Sequence, residues 1–543
     1  MRRPSPSPLI AAASAFFALV LLAGCDARTN VAATGTAPEQ TAHLWVTVEE
    51  VWFATAADTV PEAEAGWTRE KLSSPVVFDL AAIDAGKLVP LVTNVSIPAG
   101  DYRQMYVKLA DAGDRLLDAA REAGLEYNAQ IDVKGGSGSV TKRRLELPVP
   151  RTGLAIPVDL TFRDGSGTGS DAGTVNLALT LDAARSVVTY EYGSDTGYVL
   201  SPAIRVDDAA KAGSIVGSVD TSALPSGHAP IYISAQLKDD AGERYEVVQR
   251  RPVADDGSFT LYPLPAPKSG EKLYDVVIAG AGSDTVVVRD VPVTAGSEAT
   301  MLQATPIALA AARTVYANVG EQVPALPAGT RVEFLQTLPG SAERPHVVAD
   351  TSLDPILRGL PDGAFGLAAG PIHVGTYAAG GAIAFSATTP AEGTGGYLVG
   401  SSGAYRQGEL ATRTSDVSGS SGRPTVVTVP FPEVASGGRR GTLTVNLLAT
   451  PGQYDNGFVA VMAGHELVET VEIGTLLDRG GGLITIAGLP AGAALAPATG
   501  IPYRVAVRAW NSRNAANTFT WTAATRSVIL GDTGVGAFSF QLQ

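Results

Sequence analysis

A two-residue alternation of apolar and polar positions, repeated in short runs from end to end, limits this chain more than any other feature. In "HLWVTVEEVWF" at 43–53, Leu44, Val46 and Val48 alternate with Trp45, Thr47 and Glu49, the period of a half-buried strand. The register then slips, because Val51 and Phe53 fall on the other parity, and a bulge at Glu49–Glu50 reconciles the two halves. Further runs are Met105-Val107-Leu109, Leu154-Ile156-Val158-Leu160-Phe162 and Val175-Leu177-Leu179-Leu181. With 60 Gly and 35 Pro to turn between them, the runs predict an all-β protein of tandem β-sandwich domains. One helix is expected, a surface one in "GDRLLDAAREAGLEY" at 113–127, stopped by Gly124. A chain of 543 residues exceeds one core and suits about four domains.

The single cysteine, Cys25, follows an apolar segment. Arg2 and Arg3 precede Leu9–Leu22, in which only Ser14 is polar. That run is short of the ~20 residues of a membrane-spanning helix and fits the apolar part of a signal peptide. Leu22-Ala23-Gly24-Cys25 resembles the bacterial lipobox at all four positions. The resemblance implies cleavage between Gly24 and Cys25, a diacylglyceryl group on the Cys25 sulfur and an acylated new amino terminus. One acyl chain binds a membrane reversibly, whereas two or three anchor stably. With Cys25 committed to lipid, no thiol remains for a disulfide, so packing alone must hold the domains. "DARTNVAATGTAPEQT" at 26–41 is small and polar, and reads as a flexible leash reaching roughly 20–25 Å. The expected location is the bacterial cell envelope, lipid-anchored on the extracytoplasmic side. Asp26 after the lipidated Cys looks like the inner-membrane retention signal of enteric bacteria, a rule that does not transfer to all bacteria, so inner and outer membrane stay open.

"HLWVTVEEVWF", "GW" at 66–67, "VVFDLAAIDAGKLVPLVTNVSIPAGDYRQMYVKL" and "LTLDAARSVVTYEYGSDTGYVLSPAIRV" occur in an order that resembles the domain family DUF4382 over roughly 42–206. The resemblance implies a sandwich-like envelope domain with no catalytic residues, and this chain departs from it by the helix-like insertion around 113–124. "AGSIVGSVD" at 212–220, with "ADDGSFTLYPLPAPKSGEKLYDVVIAGAG" after it, resembles the carboxypeptidase regulatory-like modules, which imply a transthyretin-like sandwich over 212–308. There Asp256-Gly257 makes a turn, and Phe259 and Leu261 share one face. "LPDGAFGLAAG" at 360–370 and "GGGLITIAGLPAGAALAPATGIPYRVAVRAWN" at 480–511 echo the same turn–strand arrangement about one sandwich apart. The expected segments are a signal peptide over 1–24, a lipidated tether over 25–41, a DUF4382-like domain over 42–207 and a regulatory-like sandwich over 208–308. A sandwich over 309–438 with a long exposed Gly/Ser loop at 392–424, and a last one over 439–543, complete the chain.

The formal charge of −14 and the lack of a Lys/Arg run argue against nucleic acid. "HELVE" at 465–469 has Glu469 where a zinc peptidase helix has its second His, and it alternates like a strand. No nucleophile elbow or phosphate loop is present, and no metal or cofactor is expected. Asp239-Asp240 and Asp255-Asp256 lack calcium-ligand spacing and read as solvated turns. Aromatic rings remain, since sandwiches that bind sugars present flat rings. Of the five Trp, Trp45 and Trp510 fall opposite their strands' aliphatics or at a strand end, and Tyr377, Tyr397 and Tyr405 lie in Gly-rich stretches. Trp45, Trp510, Tyr397 and Tyr405 are the candidate ligand contacts, with core or inter-domain packing as the competing role for each Trp. The expected protein is a string of sandwiches that acts without catalysis as a binding or spacer module. Its partners are the membrane through the lipid, and a glycan or an envelope protein. Carbohydrate binding through the transthyretin-like sandwich or a later one is the alternative, and a glycan- or peptide-directed hydrolase the weaker one.

Overall fold

The computed structural model describes residues 26–542 outside the segments 36–40, 57–65, 82–87, 136–138, 149–152, 164–173, 182–186, 193–194, 202–203, 239–244, 268–272, 297–298, 320–330, 340–343, 353–363, 403–411, 417–424, 428–438, 464–465, 492–500, 512–520 and 531–532. The described strands pair into eight sheets, two for each of four successive units. The chain is an all-β protein of tandem sandwiches.

In the first unit a four-stranded sheet runs Ile204–Asp208, Thr174–Leu181, Asp26–Gly35, Val89–Pro98. A larger sheet packs on it, running Val187–Tyr192, Asp195–Leu200, Val140–Glu146, Gln130–Lys134, Thr41–Ala54, Gly100–Leu109, Gly153–Phe162, with Trp67–Asp79 also on Thr41–Ala54. The expected bulge is present. Pairing of Thr41–Ala54 shifts between Val48 and Glu50 against both neighbours, so Leu44, Val46, Val48, Val51 and Phe53 all reach one core. The expected helix is a single short turn, Asp118–Glu122, and Gly124 ends it at φ +75°.

The leash reading of 26–41 is corrected at Asp26–Gly35 and at Thr41, which are strand, while 36–40 lie outside the described residues. Asp26–Gly35 is a central strand, antiparallel to Val89–Pro98 and parallel to Thr174–Leu181. Ala27, Val31 and Ala33 point inward and are buried, while Arg28 and Asn30 point out and hydrogen-bond Asn94 and Asn176. The inward apolar residues are only Ala and Val, and such small side chains among polar ones made the segment read as leash.

In the second unit Ala212–Asp220 pairs with Ser258–Pro265, and a second sheet runs Tyr245–Pro252, Tyr232–Lys238, Tyr274–Gly280, Ser283–Val291. A Cβ on Gly217 would sit 2.5 Å from the Phe259 ring, which accounts for glycine in the "GSIVGSV" pattern. Gly257 makes the expected turn at φ +81°, and Phe259 and Leu261 are buried in the core.

The third unit is not independent of the second. Its strand Ile372–Thr376 lies parallel to Ser283–Val291 and extends that sheet. Val277 and Val287 of the second unit pack with Phe334, Leu367 and Val399 of the third. The exposed loop expected over 392–424 contains two strands, Gly396–Ser402 and Thr412–Asp416. Tyr397 and Val399 alternate inward there, spaced by Gly and Ser that composition alone reads as loop.

In the fourth unit Arg439–Leu448 pairs with Gly481–Ala491 and Val535–Gln541, opposite a sheet running Glu466–Glu472, Asn456–Ala463, Ile501–Trp510, Trp521–Leu530. Asn456–Ala463 is buried on both faces. One face meets its own core, and the other meets the first unit.

Candidate functional site

The residues with unusual chemistry gather where units meet. On Ile501–Trp510, Val505, Val507 and Ala509 face the fourth unit's core, so Ala506, Arg508 and Trp510 face away from it. They do not face water. Phe458, Ala460, Met462, Leu467, Ala506 and Trp510 pack on Val188, Tyr190 and Val199 of the first unit. The Tyr190 and Phe458 rings lie 5.2 Å apart, and Phe458 meets Trp510 edge-on at 6.3 Å. The last sandwich thus folds back on the first, and the string expected from the sequence is closed.

Arg508, 0% exposed, forms the polar centre of this contact. Its Nη2 donates to Asp111 Oδ1, and its Nη1 lies 2.8 Å from Glu146 Oε2. Arg144 pairs with Glu146 at 3.0 Å and covers the Trp510 ring at 5.5 Å. Burial works against the charge on Arg508, but Asp111 and Glu146 outweigh it and raise its pKa. Asp111 is held by the Gly113 N–H. Buried Asn128 shapes the loop behind it, donating to the Asp111 and Arg115 carbonyls and accepting from the Leu117 N–H. The carboxylate that receives Arg508, Asp111, therefore lies just before the helix-like segment at 113–124 and is shaped by the loop that leads into it.

Two other junctions follow the same plan. Between first and second units Arg251, 2% exposed, donates to Thr34 Oγ1 at 2.6 Å and to the Tyr262 carbonyl. Burial, then the charge of Arg205, pushes its pKa down to about 10. Arg205 pairs with Asp207 and donates to the Val248 and Pro263 carbonyls, so it too ties the first unit to the second. Between second and third units Asp350 takes both Arg250 and Arg331. Beside them the buried His346 Nε2 meets Asp275 at 2.8 Å, with Tyr245 stacked on the imidazole at 3.9 Å. Gln236 bonds both the N–H and the carbonyl of Val347. His373 and Asp284 pair at 2.9 Å across the strands that join these two units.

The sequence singled out none of these arginines. The available signal was the company they keep. "YRVAVRAW" puts Arg508 on a face with Ala506 and Trp510, unlike a solvent face.

The candidate ligand contacts fare differently. Trp510 is 5% exposed, and its ring is spent on the junction. Tyr397 is 1% exposed, with its hydroxyl donated to the Ala368 carbonyl and its ring edge-on to Phe334. Neither offers a face to a sugar. Tyr377 packs against the second unit's core. Trp45 is half-buried, stacks on His43 at 5.3 Å and points Nε1 at Asp132, 3.4 Å away. His43 in turn meets Asp79 at 2.7 Å. Cys25, Gly24 and Tyr405 lie outside the described residues. Trp52, Trp67 and Tyr106 form a separate cluster on the outer face of the first unit, with Arg69 over Trp52 at 4.2 Å. In "HELVE", Glu466–Glu472 is a strand, so the zinc-peptidase helix is not formed, and His465 lies outside the described residues. Asp256 accepts from the Ser258 N–H as a turn residue does, and Asp239-Asp240 lies outside the described residues. Among the described residues no three His, Cys, Asp or Glu side chains converge to hold a metal.

Solved structures similar to the chain include the Bacillus anthracis TIE protein, at 10% identity over 93% of this chain and 69% of that one, TM-score 0.13. A tetra-tandem repeat from the extending region of a large adhesion protein is 12% identical over 93% and 99%, TM-score 0.09. A streptococcal ancillary pilin is 9% identical over 75% and 100%, TM-score 0.13. Likenesses this weak carry no argument about function. No curated protein matches the chain. Residues 28–202, the greater part of the first unit from within its opening strand, match the family model described as Domain of unknown function (DUF4382).

Proposed function

We propose that this protein is a lipid-anchored component of the bacterial cell envelope, held on the extracytoplasmic side through Cys25, and that it works without catalysis as a binding module. The observation that carries the reading is Leu22-Ala23-Gly24-Cys25 at the end of an apolar run, with an ordered strand starting at the next residue, Asp26. Two or three acyl chains at Cys25 hold such a protein stably. Trp510 and the buried arginines Arg251, Arg331 and Arg508 are committed to unit junctions, which supports a rigid binder over an enzyme and over an extended spacer. Metabolic labelling with a palmitate analogue tests the anchor. Wild-type protein is expected to label and Cys25→Ser to remain unlabelled, and equal labelling of both rejects the reading.

Glycan binding keeps one described aromatic in its favour. Trp45 keeps part of its ring exposed, stacks on His43 and points Nε1 at Asp132, so its position is fixed while a ring face stays partly open. With Trp510 and Tyr397 buried, this reading moves from the transthyretin-like and later sandwiches to the first unit. A glycan array should then lose its hits with Trp45→Ala, and no hits for the wild-type chain would discard it.

A further inference from the structure

Resting on the lipid anchor proposed above, we infer that the anchor has no leash and that the bilayer surface is met by one defined end of the first unit. Asp26, one residue beyond Cys25, is already paired with Pro98. A flexible linker would allow the protein any orientation, whereas a strand that starts at the lipid fixes which end faces the headgroups. That end is the tight turn of Pro98, Ala99 and Gly100, whose Pro98 and Ala99 are exposed. Phe162, in register with Gly100, brings the last strand of the larger sheet to the same end.

The rest of the molecule lies on the other side. Asp26–Gly35 rises about 30 Å at 3.3 Å per residue, and Arg251 of the second unit grips Thr34 near its far end. Gly100–Leu109 starts at the anchored turn and ends just before Asp111, which receives Arg508 of the fourth unit. Both neighbouring units therefore join the first away from the bilayer. Charge at the near end is not basic, with Arg103 paired to Asp159 and Asp101 accepting from the Thr161 hydroxyl. Lipid insertion, not attraction to anionic headgroups, does the holding. The partner is a phospholipid surface of any headgroup charge.

The sole native cysteine is the acylated one, so an added cysteine is the only free thiol of the mature lipoprotein. Full-length lipidated protein carrying Ala99→Cys or Val140→Cys is labelled with bimane in phosphatidylcholine vesicles containing a headgroup spin label. Val140 is exposed and pairs with Lys134, at the opposite end of the larger sheet. Fluorescence is expected to be lost at Ala99 and retained at Val140, unchanged by added salt. A Gly/Ser insert between Cys25 and Asp26 should make the two positions alike. Equal quenching at both without the insert overturns the orientation while leaving the anchor intact. Protein that fails to partition into the vesicles at all rejects the anchor itself.

Discussion

Arg508 shows how a single residue can organise a chain of this length. A guanidinium fully removed from water is tolerated only where carboxylates surround it, and Asp111 and Glu146 do so from the other end of the sequence. Truncating Arg508 leaves two buried carboxylates without the guanidinium they share, a loss of about 3–5 kcal/mol. Arg508→Ala is therefore expected to lower the denaturation midpoint of the full chain far more than Arg121→Ala, whose exposed pair with Asp118 contributes little. Gly217→Ala should cost about 1–3 kcal/mol by forcing a methyl onto the Phe259 ring, seen as a lower midpoint in the same denaturation experiment. Asp275 gives a pH signature. Burial raises its carboxyl pKa, but His346, the Asp290 N–H and Tyr245 bring it net below the ordinary 3.8. A carboxylate so depressed adds stability that is complete above its unfolded value and disappears as pH falls through the folded one. Wild type should thus lose stability more steeply below about pH 4 than Asp275→Asn, as read from denaturation midpoints against pH.

At the scale of elements, alternation and turn chemistry were legible in the sequence. The bulge between Val48 and Glu50, the stop at Gly124 and the Gly257 turn each follow from local rules that the backbone must obey wherever it sits. Burial by small residues was not legible. Asp26–Gly35 and Gly396–Ser402 bury Ala, Val and Tyr between Gly, Ser and Thr, and composition alone reads such segments as linker or loop. The outward faces were illegible for a related reason. Whether Trp510 meets a sugar or a protein depends on residues hundreds of positions away, so Trp45 alone of the described ligand candidates keeps an open environment. An N-terminal truncation that starts at Thr41 distinguishes strand from leash. Loss of Asp26–Gly35 strips the neighbours of Leu177 and Leu179, so the truncated chain should unfold at lower denaturant or aggregate. A leash would be removed without effect.

For the whole molecule, four sandwiches make a closed module instead of an extended spacer. The first unit is covered on one outer face by the second, at Thr34 and Arg205, and on the other by the fourth, at Val188, Tyr190 and Val199. The third is stitched into the second by a shared sheet and by Asp350 and His346. Held through Cys25 as proposed, such a body would present a fixed outer surface to whatever it binds, and that surface depends on the chain closing on itself. A double-mutant cycle between Asp111→Ala and Arg508→Ala tests the closure most directly, because these residues are 397 positions apart in sequence. Coupling of about 0.5–3 kcal/mol in the denaturation of the full chain is the expected result. Additive losses would contradict it, since residues that do not touch behave independently.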